Sequence, residues 1–293
     1  MKIISGPAST ELAETVSKIT GYQNVPVASK IFPDGESYVR LDGNVSGENV
    51  AIIQTTCPPG QDGRLFQLAF MADAAKRAGA NKVTAVVPYL AYARQDKMFL
   101  SGEGISVETI VRMLGASGID NFLTVNIHSE PALTKFPFPA KTASAISLLA
   151  EYFVEKGYKK AYALSPDKGA MYIAKEAQLV LGGDAGHLDK VRDRYTGQTT
   201  QSGEGLNVKG QTVIIFDDII STGGTIVGAA KILKEKGAEH VFTACVHPLL
   251  IGDAAKRILD AGVEEIIGTD SVPGAYSKVS LAPLISKELK GAN

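Results

Sequence analysis

Val213-Ile-Ile-Phe-Asp-Asp-Ile-Ile-Ser-Thr-Gly-Gly-Thr225 joins an apolar run, a carboxylate pair and a turn rich in hydroxyls and glycine within thirteen residues. Val213 to Phe216 are β-branched or aromatic without interruption, as a parallel strand covered on both faces requires. Asp217 and Asp218 follow at the expected end of that strand. Ser221, Thr222 and Thr225 then offer hydroxyls, while Gly223 and Gly224 let backbone N–H groups approach an anion with no Cβ in between. Ile226, Val227, Ala230 and Leu233 recur at helical spacing. The turn is therefore expected at a helix N-terminus, where the macrodipole presents roughly half a positive charge to a phosphate. Two carboxylates would repel that phosphate, but their oxygens accept hydrogen bonds from vicinal sugar hydroxyls. Phosphate at one end and diol at the other describe a 5-phosphoribosyl group.

Further apolar runs fall at Val50–Ile53, Val83–Val87, Phe122–Val125, Ala161–Leu164, Val241–Val246 and Glu265–Ile267, and they alternate with helical patterns. That rhythm predicts an α/β protein with parallel sheets. The chain also repeats itself. Lys76-Arg-Ala-Gly-Ala-Asn-Lys-Val83 leads through a strand to Pro88, and Lys234-Glu-Lys-Gly-Ala-Glu-His-Val241 leads through another to Pro248. Upstream lie Ala51-Ile-Ile-Gln-Thr-Thr56 and Val213-Ile-Ile-Phe-Asp-Asp218, so the halves read as duplicated domains of which only the second keeps the acid pair. The stiff Phe136-Pro-Phe-Pro139 precedes a helical pattern from Ala145 and places the expected boundary between domains 1–142 and 143–293.

A length of 293 residues suits about two domains, and 45% hydrophobic with 21% charged residues is an ordinary globular composition. A net charge of −1 argues against nucleic acid or anionic membrane as a partner. No apolar stretch approaches the ~18 residues of a membrane span, and the first residues lack the apolar core of a signal peptide. Two cysteines, Cys57 and Cys245, provide neither a disulfide framework nor a thiolate metal site, which fits a reducing cytoplasm. Four scattered histidines show no zinc-ligand spacing.

Five other segments carry candidate chemistry. Tyr92-Ala-Arg-Gln-Asp-Lys97 follows a strand at the carboxyl edge where open α/β sheets bind ligands; Arg94 supplies a fork for phosphate oxygens and Gln95 neutral polar contacts. Phe32-Pro-Asp-Gly-Glu36 reads by itself as a hairpin turn. His128 and Asp167 each close a strand. Leu188-Asp-Lys-Val-Arg-Asp-Arg-Tyr195 precedes a polar stretch from Thr196 to Lys209 that reads as a mobile loop or a flap hairpin.

The Val213–Thr225 segment resembles the phosphoribosyl-binding loop shared by type I phosphoribosyltransferases and ribose-phosphate pyrophosphokinases. Nearly the whole chain resembles the second family, in a short form like its archaeal members. The resemblance implies two duplicated type I phosphoribosyltransferase-like domains, each a central parallel sheet flanked by helices. It implies that the first domain serves nucleotide and oligomer contacts, and that the second holds ribose 5-phosphate through Asp217, Asp218, Ser221, Thr222, Gly223, Gly224 and Thr225, with Arg192 beside them. ATP would be bound by Arg94, Gln95, Asp96 and His128, with Phe32, Asp34, Gly35 and Glu36 reaching into a neighbouring subunit's site within a homo-oligomer. Lys190 and Arg192 match the family's catalytic Lys-x-Arg. His128 and Asp167 match positions beside Mg²⁺, the implied cofactor, although Asn126 replaces an expected aspartate and Gly169-Ala170 an expected glycine pair. The implied reaction transfers the diphosphoryl group of Mg²⁺–ATP to ribose 5-phosphate. Asp217 or Asp218 would orient the sugar or accept its proton, and the sequence does not choose between them. A phosphoribosyltransferase and a noncatalytic regulatory homologue are the rival readings.

Overall fold

A computed structural model describes residues 1–192 and 199–291; at 190–192, 199 and 200 the description is of backbone alone. The chain forms two compact units, residues 1–143 with 280–293, and residues 144–279. The first contains β1 (Lys2–Ser5), α1 (Thr10–Thr20), β2 (Gln23–Val25), β3 (Val27–Ile31), β4 (Ser37–Leu41), β5 (Asn49–Ile53), α2 (Gln61–Arg77), β6 (Lys82–Val87), α3 (Ser106–Ala116), β7 (Asn121–Val125) and β8 (Ala140–Ala143). The second contains α4 (Ile146–Glu155), β9 (Tyr162–Ser165), α5 (Met171–Leu181), β10 (Ala185–His187), β11 (Asp189–Arg192), β12 (Thr199–Ser202), β13 (Thr212–Ile220), α6 (Gly224–Glu235), β14 (His240–Pro248), α7 (Ala254–Asp260), β15 (Ile266–Thr269) and β16 (Ser277–Val279). The last helix, α8 (Ala282–Lys290), returns to the first unit.

Each unit is built on a six-stranded parallel sheet, in the orders β2-β1-β5-β6-β7-β8 and β10-β9-β13-β14-β15-β16. Substituting strands in chain order turns one into the other, and each unit also inserts one antiparallel hairpin, β3–β4 or β11–β12, at the same point of the path. Strands covered on both faces read as unbroken apolar runs for this reason. Val50–Ile53 and Val213–Phe216 are fully buried.

The repeat seen in the sequence persists bond by bond. Gly79 N–H donates to Lys76 O and Ala80 N–H to Ala75 O; Gly237 N–H donates to Lys234 O and Ala238 N–H to Leu233 O, all at 2.9–3.0 Å. Lys76 Nζ then reaches Asn81 O at 3.1 Å and Asp120 at 2.7 Å, while Lys234 Nζ reaches Glu239 O at 3.3 Å and Glu264 at 3.8 Å. Each lysine thus staples its helix to the start of the next two strands.

One expectation needs correction. The C-terminal domain does not run from 143 to 293, because α8 leaves the second unit and packs on α1. It buries Ile285 and Leu289, Lys290 Nζ donates to Ile19 O at 3.1 Å, and Glu288 pairs with Lys141 at 2.6 Å. Amphipathic helices look alike in sequence whichever sheet they cover, so this return was not legible.

Candidate active site

The acid pair sits inside β13 rather than after it. β13 continues to Ile220 because β14 extends beside it, with Asp217 opposite Cys245, Ile219 opposite His247 and Ile220 opposite Pro248. Within this stretch the acids satisfy backbone groups directly: Asp218 N–H donates to Asp217 Oδ1 at 3.0 Å and Ile219 N–H to Asp218 Oδ1 at 2.8 Å. Asp218 is buried and Asp217 partly covered. Burial, then the neighbouring Asp218 charge, push the Asp217 carboxyl well above the usual carboxylate range, with Asp167 adding a smaller push. Burial, then Asp217, similarly raise the Cys245 thiol, which is therefore an inert wall of the site.

The following turn has the expected form. Gly223 caps α6 at φ 77°, a left-handed backbone open to glycine. A Cβ on Gly223 would lie 2.9 Å from Ile258 Cδ1, whereas one on Gly224 would meet nothing within 4 Å. The turn is thus packed tightly behind Gly223 and open in front of Gly224. Thr222, Gly224 and Thr225 are exposed, and Ser221 is partly so. An opening lined by backbone N–H groups at a helix start, with a carboxylate pair one strand-end away, has the shape and polarity of a sugar phosphate.

Asp167 ends the loop after the neighbouring strand β9. Its Oδ1 accepts from Ala170 N–H at 3.1 Å, and its charge is felt by Asp217. Lys190 and Arg192 lie on β11, paired with Gln201 and Thr199 of β12. The flap is therefore a hairpin; the side chains of these two cations, and residues 193–198 at its tip, lie outside the described residues.

The nucleotide candidates of the first unit group in two places. Phe32–Glu36 form the tip of the β3–β4 hairpin, closed by Phe32 N–H to Glu36 O at 2.8 Å and by Glu36 N–H to Asp34 Oδ1 at 3.1 Å. Lys30 Nζ lies 4.3 Å from the Phe32 ring centre, and Tyr38 meets that ring edge-on at 6.1 Å. Arg94, Gln95 and Asp96 follow β6. Ser129 Oγ donates to Asp96 Oδ2 at 2.6 Å, which brings this loop beside His128, itself exposed at the end of the loop after β7. Asn126, in place of the expected acid, takes φ 37°, which asparagine tolerates better than most residues.

Sequence reasoning missed Glu103. Its carboxylate accepts from Phe99 N–H at 2.7 Å and Leu100 N–H at 2.9 Å, and these bonds hold it below the usual carboxylate range. It thereby folds the loop that carries Arg94–Asp96; a lone glutamate in a glycine-flanked segment gives no signal of this. The first unit's counterpart of the acid pair is closed by its own side chains. Gln54 Oε1 accepts from Ala8 N–H at 3.0 Å, Ser9 Oγ from Thr55 N–H at 2.8 Å, and Thr56 Oγ1 donates to Tyr89 O at 2.8 Å. A Cβ at Gly6 would lie 2.3 Å from Gln54 Oε1, so the Gln54 side chain packs directly against the Gly6 backbone.

Two units of one topology, of which the second carries an acid pair beside a glycine turn and the first has Gln54, Thr55 and Thr56 in the matching strand end, define a duplicated α/β protein. Residues 1–118 match the N-terminal domain of ribose phosphate pyrophosphokinase, and residues 139–281 the phosphoribosyl transferase domain. The chain is 42% identical to the ribose-phosphate pyrophosphokinase of Methanobrevibacter smithii over 98% of its own length and 99% of the relative's. Identity to the Methanothermobacter thermautotrophicus counterpart is 40% over 98% and 99% of the two chains. The crystal structure of phosphoribosylpyrophosphate synthetase from Mycobacterium smegmatis superposes with a TM-score of 0.88 at 31% identity, covering 99% of this chain and 98% of that one. The chain belongs to the ribose-phosphate pyrophosphokinase family.

Proposed function

We propose that the protein transfers the diphosphoryl group of ATP to the anomeric hydroxyl of ribose 5-phosphate, giving 5-phosphoribosyl 1-pyrophosphate and AMP. The observation that carries this reading is the pairing of Asp217 and Asp218 with the open Ser221–Thr225 turn, set in a chain of this family. The turn takes the 5-phosphate and the acids take the ribose hydroxyls. The anomeric oxygen attacks the β-phosphorus, the bond to the α-phosphate oxygen breaks, and AMP leaves. Burial and the charge of its neighbour raise the proton affinity of Asp217, which suits the acid pair, taken as a unit, to accept the anomeric proton. Lys190 and Arg192, on the β11–β12 hairpin, neutralise charge on the transferring group, in line with the dependence of such reactions on positioning and charge stabilisation.

ATP is assigned to Arg94, Gln95, Asp96 and His128, with Phe32, Asp34, Gly35 and Glu36 supplied by a neighbouring subunit. Supporting an oligomer, α2 leaves Phe66 and Phe70 exposed by 50% and 43% with their rings 6.1 Å apart, an apolar pair suited to a second copy. Among the described residues no three His, Cys, Asp or Glu side chains cluster as a metal cage. That suits Mg²⁺, which is commonly held by one or two protein groups and by substrate phosphates. His128 of the first unit and Asp167 of the second are the residues assigned to it, each by its family position, and it would supply charge neutralisation on the phosphate oxygens. Among the described residues no helix is long and apolar enough to cross a membrane, and both cysteines are free, in keeping with a cytoplasmic enzyme.

Incubation with ATP, Mg²⁺ and ribose 5-phosphate tests the proposal: AMP and phosphoribosyl pyrophosphate form together. Consumption of phosphoribosyl pyrophosphate with a nucleobase, and no AMP from ATP, would replace it with a phosphoribosyltransferase.

A further inference from the structure

The turn between β13 and α6 is tied from behind, carbonyl by carbonyl. Ile220 O accepts from Leu250 N–H at 3.0 Å, Ser221 O from Ile251 N–H at 3.0 Å, and Gly223 O from Val227 N–H at 2.9 Å. Thr222 O accepts from Arg257 Nη2. In a planar trans peptide the carbonyl and the following N–H point in opposite directions. Each anchored oxygen therefore turns the N–H that follows it, of residues 221–224, away from its own anchor, and those of 221–225 take no acceptor from the described chain.

Three of the four anchors are backbone groups and are insensitive to side-chain identity. The fourth is not. It holds the Thr222–Gly223 peptide, the one that precedes the left-handed Gly223 and that neither β13 nor α6 fixes. The Arg257 guanidinium is itself set in place, since Nε donates to Asp253 Oδ1 at 3.0 Å. The same helix, α7, backs the turn with Ile258 and Ala254, which would lie 2.9 Å and 3.4 Å from a Cβ on Gly223.

We propose that Arg257 is a positioning residue for ribose 5-phosphate: by holding the Thr222 carbonyl it keeps the Gly223 N–H aimed at the substrate's phosphate, without touching substrate itself. This rests on the reading of Ser221–Thr225 as the phosphate turn. Sequence gave no sign of it, because Asp253-Ala-Ala-Lys-Arg257 is an ordinary helical surface pattern.

Binding of ribose 5-phosphate and of ATP is measured separately by calorimetry on wild type, Arg257→Ala, Arg257→Lys and the Asp217→Asn/Asp218→Asn double variant, with KM and kcat alongside. Arg257→Ala is expected to weaken ribose 5-phosphate roughly tenfold, the effect of losing one charge-assisted hydrogen bond, and to leave ATP binding and thermal stability as in wild type. Its KM for ribose 5-phosphate rises more than its kcat falls. Lysine restores the charge but has no planar fork to span Asp253 Oδ1 and Thr222 O, so Arg257→Lys stays within about threefold of Arg257→Ala. Full recovery by lysine would show a simple field effect and overturn the brace. Loss of ribose 5-phosphate binding in the double variant with wild-type binding in Arg257→Ala would overturn the brace and leave the site standing. Wild-type binding in both would remove the phosphate turn and this inference with it.

Discussion

Gly223 and Gly224 are adjacent, chemically identical, and required for different reasons, so exchanging each for alanine separates folding from binding. At Gly223 the backbone is left-handed, which costs an L-residue about 1–2 kcal/mol. The new Cβ would also lie 2.9 Å from Ile258 Cδ1, where the buried side chain must shift, at roughly another 1 kcal/mol. Gly223→Ala should therefore destabilise the second unit by about 2–3 kcal/mol, lowering its unfolding temperature by roughly 8–12 °C for a unit of this size. At Gly224, the first residue of α6, φ is unexceptional and a Cβ meets open space. Gly224→Ala should leave stability unchanged or raise it by up to about 1 kcal/mol, as replacing a helical glycine does. Its methyl group instead occupies the approach to the turn and should weaken ribose 5-phosphate at least roughly tenfold, the loss expected when a charge-assisted contact is blocked. Thermal unfolding followed by calorimetry on the two variants reads both effects. Wild-type affinity in Gly224→Ala would refute the idea that an anion approaches this backbone closely. A Gly223→Ala protein as stable as wild type would refute the account of how α7 seats the turn.

Lys190→Ala should lower AMP formation by about 10²–10³-fold, with thermal unfolding unchanged, the scale of losing a transition-state charge partner; substantial steady-state turnover would move the catalytic cation elsewhere. Phe32→Ala should weaken ATP roughly fivefold to a hundredfold, by analogy with base stacking. Mixing it with Lys190→Ala should restore activity in hybrid assemblies, and hybrids that form without recovering activity would exclude a shared site. Because the folded-state pKa of Asp217 is raised, its contribution to stability is full below the ordinary carboxylate range and is lost as pH rises toward the raised value. Asp217→Asn should thus stabilise the substrate-free protein at neutral pH, and by less as pH falls to the ordinary carboxylate range. Unfolding scans showing the opposite trend with pH would contradict burial as the cause. Removal of residues 280–293 strips Ile285 and Leu289 from the core, at about 1.5–3 kcal/mol each, and should expose the first unit to protease before the second.

The sequence carried most of the framework because parallel strands covered on both faces leave uninterrupted apolar runs. All seven such runs lie in or overlap strands of the two sheets. The short edge strands β2, β10 and β16 pair on one side only and have no such run. The extent of β13 was underestimated, since acids normally end a strand; here the two carboxylates accept the N–H groups beside them and β14 continues the ladder. The Ser221–Thr225 segment was readable as a turn into a helix because its glycines permit the left-handed backbone found at Gly223. Glu103 and Arg257 were not, because their work is to hold backbone groups that only folding brings within reach.

The return of α8 to the first unit has a bearing on how the chain is made. Residues 280–293 follow the whole second unit along the polypeptide, yet Ile285 and Leu289 belong to the core that begins at Ile3 and Ile4. During synthesis the first unit emerges early and must wait, with the groove beside α1 uncovered, until every residue of the second has left the ribosome. The second unit, by contrast, is contiguous in the chain and can close as soon as β16 emerges. Native assembly is thus sequenced in reverse: the half carrying Asp217–Thr225 can be complete first, and the half carrying Arg94–Asp96 and His128 is sealed only afterwards.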